Sequence, residues 1–144
     1  MEYLLNVAIK RLLRTEKALN KEEFIAVIKV TVHDSAIKGM RSNLASPPGR
    51  KPHKKVKESS RWFNSLTEED KHQVEEIIKQ AVHSSVFGFL CVLDGVSVIE
   101  STPEKGSLEL VFNKNGDKKL INDERGDMLH DIYQSEVFRE IFEG

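Results

Sequence analysis

Cysteine is almost absent from this sequence, because Cys91 is the only cysteine among 144 residues. An internal disulfide is therefore excluded, and one chain cannot build a zinc site from cysteines alone. This absence favours a reducing compartment. Cys91 lies in the most apolar stretch of the chain, and we expect a buried, unreactive thiol there rather than a nucleophile.

Long apolar runs are also missing. The longest uninterrupted one, from Val86 to Leu93, has eight residues, whereas a membrane-spanning helix needs about 20. The first residues lack the apolar core and the small-residue cleavage site of a secretory signal. We expect a cytoplasmic protein without a membrane partner.

The common catalytic motifs are not found either. The sequence has no glycine-rich phosphate loop, no G-x-S-x-G, no H-E-x-x-H and no EF-hand loop. These absences argue against the commonest enzyme classes and predict no cofactor, although an enzyme without a local motif stays open.

What the chain does contain is typical of a globular protein, with 39% hydrophobic and 31% charged residues. Its length predicts a single domain over 1–144.

Helices are predicted for the first part of the chain. Apolar residues recur at helical spacing over 2–18, and Asn20 with Glu23 forms a capping-box pattern at the start of a second helix that reaches about Ser42. The β-branched run from Ile25 to Val32 would otherwise suit a strand.

An internal echo favours the helix. Residues 21–40 and 71–90 are identical at six of 20 positions, and His33 aligns with His83. The second stretch begins with a capping pattern at Thr67 and Asp70 and shows a helical apolar stripe. We expect two long helices, the later one ending at Asp94-Gly95. The alternative is a β-hairpin around that Asp-Gly turn.

The rest of the chain predicts a loop, a small sheet and a closing helix. The proline-containing residues 45–57 indicate a mobile basic loop, which Trp62 and Phe63 would pin to the core. Short strands are predicted at 96–99, 108–112 and 119–121. A helix follows from about Asp127, with a possible break near Gln134-Ser135. The predicted class is therefore α+β: an N-terminal helical layer, a small antiparallel sheet and a C-terminal helix.

The histidines and their acidic neighbours are one candidate site. If the echoed helices pack antiparallel, His33 and His83 approach each other, and imidazole with carboxylate suits zinc, iron or manganese, or proton transfer. The alternative is that each histidine bonds a neighbour or is exposed. The metal candidates are His33, Asp34, His83, His130 and Asp131.

Basic residues cluster in the first half of the chain and form a second candidate site. Positive charge near a tryptophan suits the phosphates and bases of nucleic acid, but the whole chain has a net charge of −1, whereas a nucleic-acid-binding domain is usually basic. The candidate contacts are Arg41, Arg50, Lys51, Lys54, Lys55, Lys57, Arg61 and Trp62.

The function we expect is that of a non-enzymatic cytoplasmic binding or regulatory module acting through another protein. Acidic residues of the closing helix would steer a basic partner. The alternatives are a metal-binding protein or metal-dependent enzyme that uses the His/Asp cluster, and a weak nucleic-acid binder that uses the basic loop.

Overall fold

The computed structural model describes residues 18–143. Within that range the chain forms four helices and one two-stranded antiparallel sheet, which confirms the predicted α+β class. The predicted helix over 2–18 lies outside the described residues, apart from Ala18.

The first helix, α1, runs without interruption through an α-helical part Lys21–Ile28, a π-helical part Lys29–Asp34 and a second α-helical part Ser35–Ala45. Its capping box is present: the Asn20 side chain accepts from the Glu23 N–H (2.7 Å), and the Glu23 carboxylate accepts from the Asn20 N–H (2.8 Å). The β-branched run is helical throughout.

The second helix, α2, spans Lys54–Ser65. The predicted basic loop is therefore shorter than 45–57, because Lys54 to Lys57 are already helical and irregular chain occupies only 46–53. Phe63 is buried as expected, but Trp62 is exposed. Sequence spacing puts the two neighbours about 100° apart on a helix, so only one of them can face the core.

The third helix, α3, spans Glu68–Leu93 and is capped by Thr67, whose hydroxyl accepts from the Asp70 N–H at 3.1 Å. The hairpin alternative is wrong, because the helix continues to Leu93 and stops at Asp94 and Gly95, with a φ of +74° at the glycine. By length and mean hydropathy (1.3) α3 could cross a membrane, a test that core helices of water-soluble proteins also pass.

The sheet is smaller than predicted. It consists of β1 (Val111–Lys114) and β2 (Asp117–Leu120), joined by a tight turn at Asn115-Gly116, both with positive φ. The strand predicted at 96–99 does not form, and the one predicted at 108–112 starts later. The apolar residues of 96–99 are exposed, and no strand within 18–143 pairs with them. β-branched residues favour a strand only where a partner strand is present.

The last helix, α4, spans Leu129–Phe142. It begins two residues after the predicted start at Asp127, and the break predicted near Gln134-Ser135 is absent. One face of α4 supplies much of the core, in contact with α1, α3 and the residue after β2. The buried cluster consists of Leu129, Tyr133, Val137 and Ile141 from α4, with Ile25, Leu90 and Ile121.

Lys21 fastens the start of α1 to the segment that precedes α4. Its ammonium group donates to the backbone carbonyls of Asp123, Arg125 and Asp127, at 2.8, 2.8 and 3.0 Å, and lies 3.3 Å from the Asp123 carboxylate. The side chain is buried. One lysine thus donates charge-assisted hydrogen bonds to three backbone carbonyls in a segment that is neither helix nor strand.

Candidate functional site

Helices α1 and α3 run antiparallel. Arg41, near the end of α1, pairs with Glu75, near the start of α3, at 2.6 Å. Farther along, His33 of α1 and His83 of α3 both contact the ring of Tyr133 from α4. Residues late in α1 therefore meet residues early in α3, and residues in the middle of α1 lie near residues later in α3. Antiparallel packing does bring the echoed histidines to a common neighbour.

His83 is occupied by other contacts. Its ring stacks on Tyr133, with centroids 5.7 Å apart, and its Nε2 atom lies 2.7 Å from the Gln134 side-chain oxygen. It is also not among the three residues whose ligand atoms cluster closely enough to hold a metal ion. Tyr133 thus lies between the two histidines.

His33 is fully buried on α1. Its Nδ1 atom lies 2.6 Å from the Tyr133 hydroxyl, whereas its Nε2 atom is buried without a hydrogen-bond partner among the described residues. Burial lowers the pKa of His33 below its usual value, because the interior disfavours the charged imidazolium. A neutral ring with one unsatisfied nitrogen is able to bind a ligand.

Two carboxylates lie close to His33. A ring nitrogen of His33 and carboxylate oxygens of Asp34 and Glu140 are all within 4.8 Å of one another. The ammonium group of Lys29 lies 3.2 Å from both carboxylates. Burial alone would lower the pKa of Lys29, but the two acids more than offset that effect and the pKa is raised. Lys29 therefore stays charged between them.

The π-helical part of α1 explains how Lys29 meets Asp34. Its hydrogen bonds run between residues five apart, so residues 29 and 34 come nearly above one another, whereas a regular α-helix would place them on different faces. The Ser35 hydroxyl, which donates to the Val30 carbonyl at 2.9 Å, spans the same five-residue spacing. Such π segments are frequent at functional sites.

His130 and Asp131 lie at the start of α4, where the ring of His130 contacts Phe87 of α3. Asp94, at the end of α3, accepts from both the backbone N–H (2.9 Å) and the Nδ1 atom (2.7 Å) of His130. Asp94 thereby caps the N-terminus of α4. Asp131 lies 3.4 Å from the other ring nitrogen of His130. The structure brings His33 and Asp34 together, but it does not bring His130 and Asp131 to them.

A shallow apolar groove of about 290 Å³ lies between α1 and α3. Val32, which lines the groove, is 43% exposed. Phe89 is 63% exposed and follows the lining residue Val86 by about one turn of α3. Val32 aligns with Val82 and Ala36 with Val86 in the sequence echo, so the groove has contributions from both echoed stretches. It is lined by Val32, Ala36, Ala81, Val82, Ser85 and Val86.

The basic candidates lie on α1, on α2 and in the loop between these helices. Arg41 is paired with Glu75 on α3, and Lys54 lies 3.8 Å from Glu58. Trp62, 54% exposed, is on the same helix. The remaining basic candidates are also exposed, with two of them in the loop before α2: Arg50, Lys51, Lys55, Lys57 and Arg61.

Three residues around His33 were not among the sequence candidates: Lys29, Tyr133 and Glu140. Tyr133 and Glu140 are seven residues apart, and a helix over this segment places them on the same face. That spacing is the sequence feature that could have linked them. Their meeting with α1 depends on how α4 packs, and that is not readable from local spacing.

Comparison with known proteins adds nothing to this picture. No protein-family model matches the chain, and no curated protein or solved structure matches it.

Proposed function

We propose that this chain is a non-enzymatic, cytoplasmic binding module that acts through a protein partner, and that its contact surface is the α1–α3 groove. The observation that carries the proposal is the apolar character of this open surface. Five of its six lining residues are apolar, and Phe89 of α3 is 63% exposed. Apolar surface left open between two packed helices can be covered by the apolar side chains of a partner.

The shape of the groove favours an amphipathic helix of the partner as the occupant. Two packed helices present ridges with a furrow between them, into which a third helix can place its side chains. Ala36 and Ala81 are the smallest lining residues and leave room for larger side chains. The Arg41–Glu75 ion pair provides a polar rim at one end of the helix pair.

Site-specific photo-crosslinking tests this proposal in cells. A photo-reactive amino acid at Ala81, inside the groove, is compared with the same amino acid at Gln80, which is exposed on α3 but does not line the groove. We expect one distinct protein to be cross-linked from position 81 and not from position 80. The cross-linked protein must then bind the purified chain.

Two results contradict the proposal. One is the absence of any product specific to position 81. The other is a product that contains only two copies of this chain, because the groove would then serve self-association rather than a different protein.

Nucleic-acid binding is a second candidate, and it is favoured by the exposure of Trp62 beside the basic residues of α2. Lys54, Lys55 and Arg61 are exposed on that helix, whereas Phe63 is buried. An exposed aromatic ring next to positive charge suits stacking on an unpaired base.

A salt titration with a fluorescent single-stranded oligonucleotide tests this candidate. Binding should weaken steeply as salt rises, since released counterions drive it. Trp62→Ala should weaken the free energy of oligonucleotide binding by about 1–3 kcal/mol through lost stacking. Lys105 is an exposed lysine of the loop before β1, and Lys105→Ala should change the binding free energy little. The absence of binding at low salt contradicts the candidate.

A further inference from the structure

The cluster around His33 contains the donor atoms of a metal site and an internal cation. One imidazole nitrogen and two carboxylate oxygens lie within 4.8 Å of one another, and the ammonium group of Lys29 contacts both acids at 3.2 Å. A lysine in that position does what a bound cation would do, because it neutralises two neighbouring carboxylates. This cluster is separate from the α1–α3 groove.

A second observation sets this cluster apart from an ordinary ion-pair network. The Nε2 atom of the fully buried His33 has no hydrogen-bond partner among the described residues. Leaving a buried polar atom unsatisfied costs about 1–3 kcal/mol, so it requires an explanation. Neither Lys29 nor the two acids satisfies it.

We propose that His33, Asp34 and Glu140 bind a divalent transition-metal ion of the zinc class, which displaces the ammonium group of Lys29. One imidazole and two carboxylates are a three-ligand set that suits Zn²⁺ and leaves a fourth position open. The ligand atoms have to contract on binding, since donors on one tetrahedral zinc ion are about 3.4 Å apart at ordinary bond lengths. The Glu140 side chain is half exposed and is free to make that movement.

The surroundings of His33 already provide the support that a ligating histidine needs. Its Nδ1 atom lies 2.6 Å from the Tyr133 hydroxyl. If Nε2 binds the metal, the proton resides on Nδ1 and is donated to the tyrosine oxygen, which fixes the ring orientation. Asp34 follows His33 directly in the chain, and the π-helical part of α1 brings its carboxylate to Lys29.

Titration of the purified chain with Zn²⁺, followed by calorimetry, tests this proposal, and Co²⁺ gives an independent optical signal. We expect one ion per chain. Glu140→Gln should weaken binding at least about tenfold because it removes a charged ligand. Lys29→Met should strengthen binding at least about tenfold, because a competing positive charge is removed from the site. A purely structural ion pair does not predict that gain.

Matched controls separate the site from general charge effects. Glu143→Gln removes an exposed acid from the end of α4, and Lys79→Met removes a lysine that is ion-paired with Glu76 on α3. Neither should change zinc affinity appreciably. Circular dichroism establishes that each variant is folded.

Three outcomes overturn the proposal. The first is the absence of zinc binding by both the natural chain and Lys29→Met. The second is binding that Glu140→Gln leaves unchanged. The third is binding that Asp131→Asn abolishes, since the metal would then lie at His130 and Asp94 instead.

Discussion

At the scale of single residues, Tyr133 connects the helices. It is fully buried, its hydroxyl contacts His33, and its ring stacks on His83. Burial, together with the charges of Asp34 and Glu140, holds the pKa of Tyr133 well above its usual value. The hydroxyl therefore keeps its proton at all ordinary pH values and remains able to donate.

Tyr133→Phe should lower the free energy of unfolding by about 1–3 kcal/mol, because neither nitrogen of the buried His33 would then have a hydrogen-bond partner within residues 18–143. Urea denaturation measures the change. In a His33→Leu background the same substitution should lower the free energy of unfolding much less, since no buried ring nitrogen then loses its hydrogen-bond partner. An equal loss of unfolding free energy in both backgrounds would show that the Tyr133 hydroxyl does not act through its contact with His33.

At the scale of the elements, ends and connections are fixed by side chains that reach the backbone. Asn20 and Thr67 cap α1 and α3 from their own sequence neighbourhood. Asp94 caps α4 from the end of α3, 36 residues earlier. The amide of Asn122 accepts from the Leu110 N–H and donates to the carbonyls of Leu93 and Leu108, which fixes the residues flanking the sheet to the end of α3.

Lys21→Met should lower the free energy of unfolding by about 2–3 kcal/mol, because hydrogen bonds from a charged group to three carbonyls are lost. The methionine keeps the apolar stem and removes only the ammonium group. Lys54→Met is the matched control: its ion pair with Glu58 is exposed, and such a pair is worth about 0.5 kcal/mol or less. Equal denaturation midpoints for Lys21→Met and the natural chain would refute this account of the connection.

At the scale of the whole molecule, the parts predictable from the sequence were those determined by near neighbours. The capping patterns at Asn20 and Thr67, the long helices and the stop at Asp94-Gly95 all rest on contacts a few residues apart. The prediction of a strand at 96–99 was wrong because a strand needs a partner strand from elsewhere in the chain. The π-helical part of α1 gives no local sequence signal of its own.

The candidate sites show the same division. His33 and Asp34 are adjacent in the chain and could be considered together from the sequence, whereas Glu140 joins them only because α4 packs against α1. The α1–α3 groove likewise exists only after two helices, fifty residues apart in the echo, lie antiparallel. Long-range packing of this kind cannot be read from residue spacing.

The affinity of the purified cross-linked partner for three forms of this chain tests the central claim most directly. Ala81→Glu puts a charge into the apolar groove and should weaken binding at least about tenfold, because burying an unpaired carboxylate costs well over 1.4 kcal/mol. Gln80→Glu adds the same charge outside the groove and should leave the affinity within about threefold of the natural chain. Equal affinities of all three forms would contradict the claim that this groove is the binding surface.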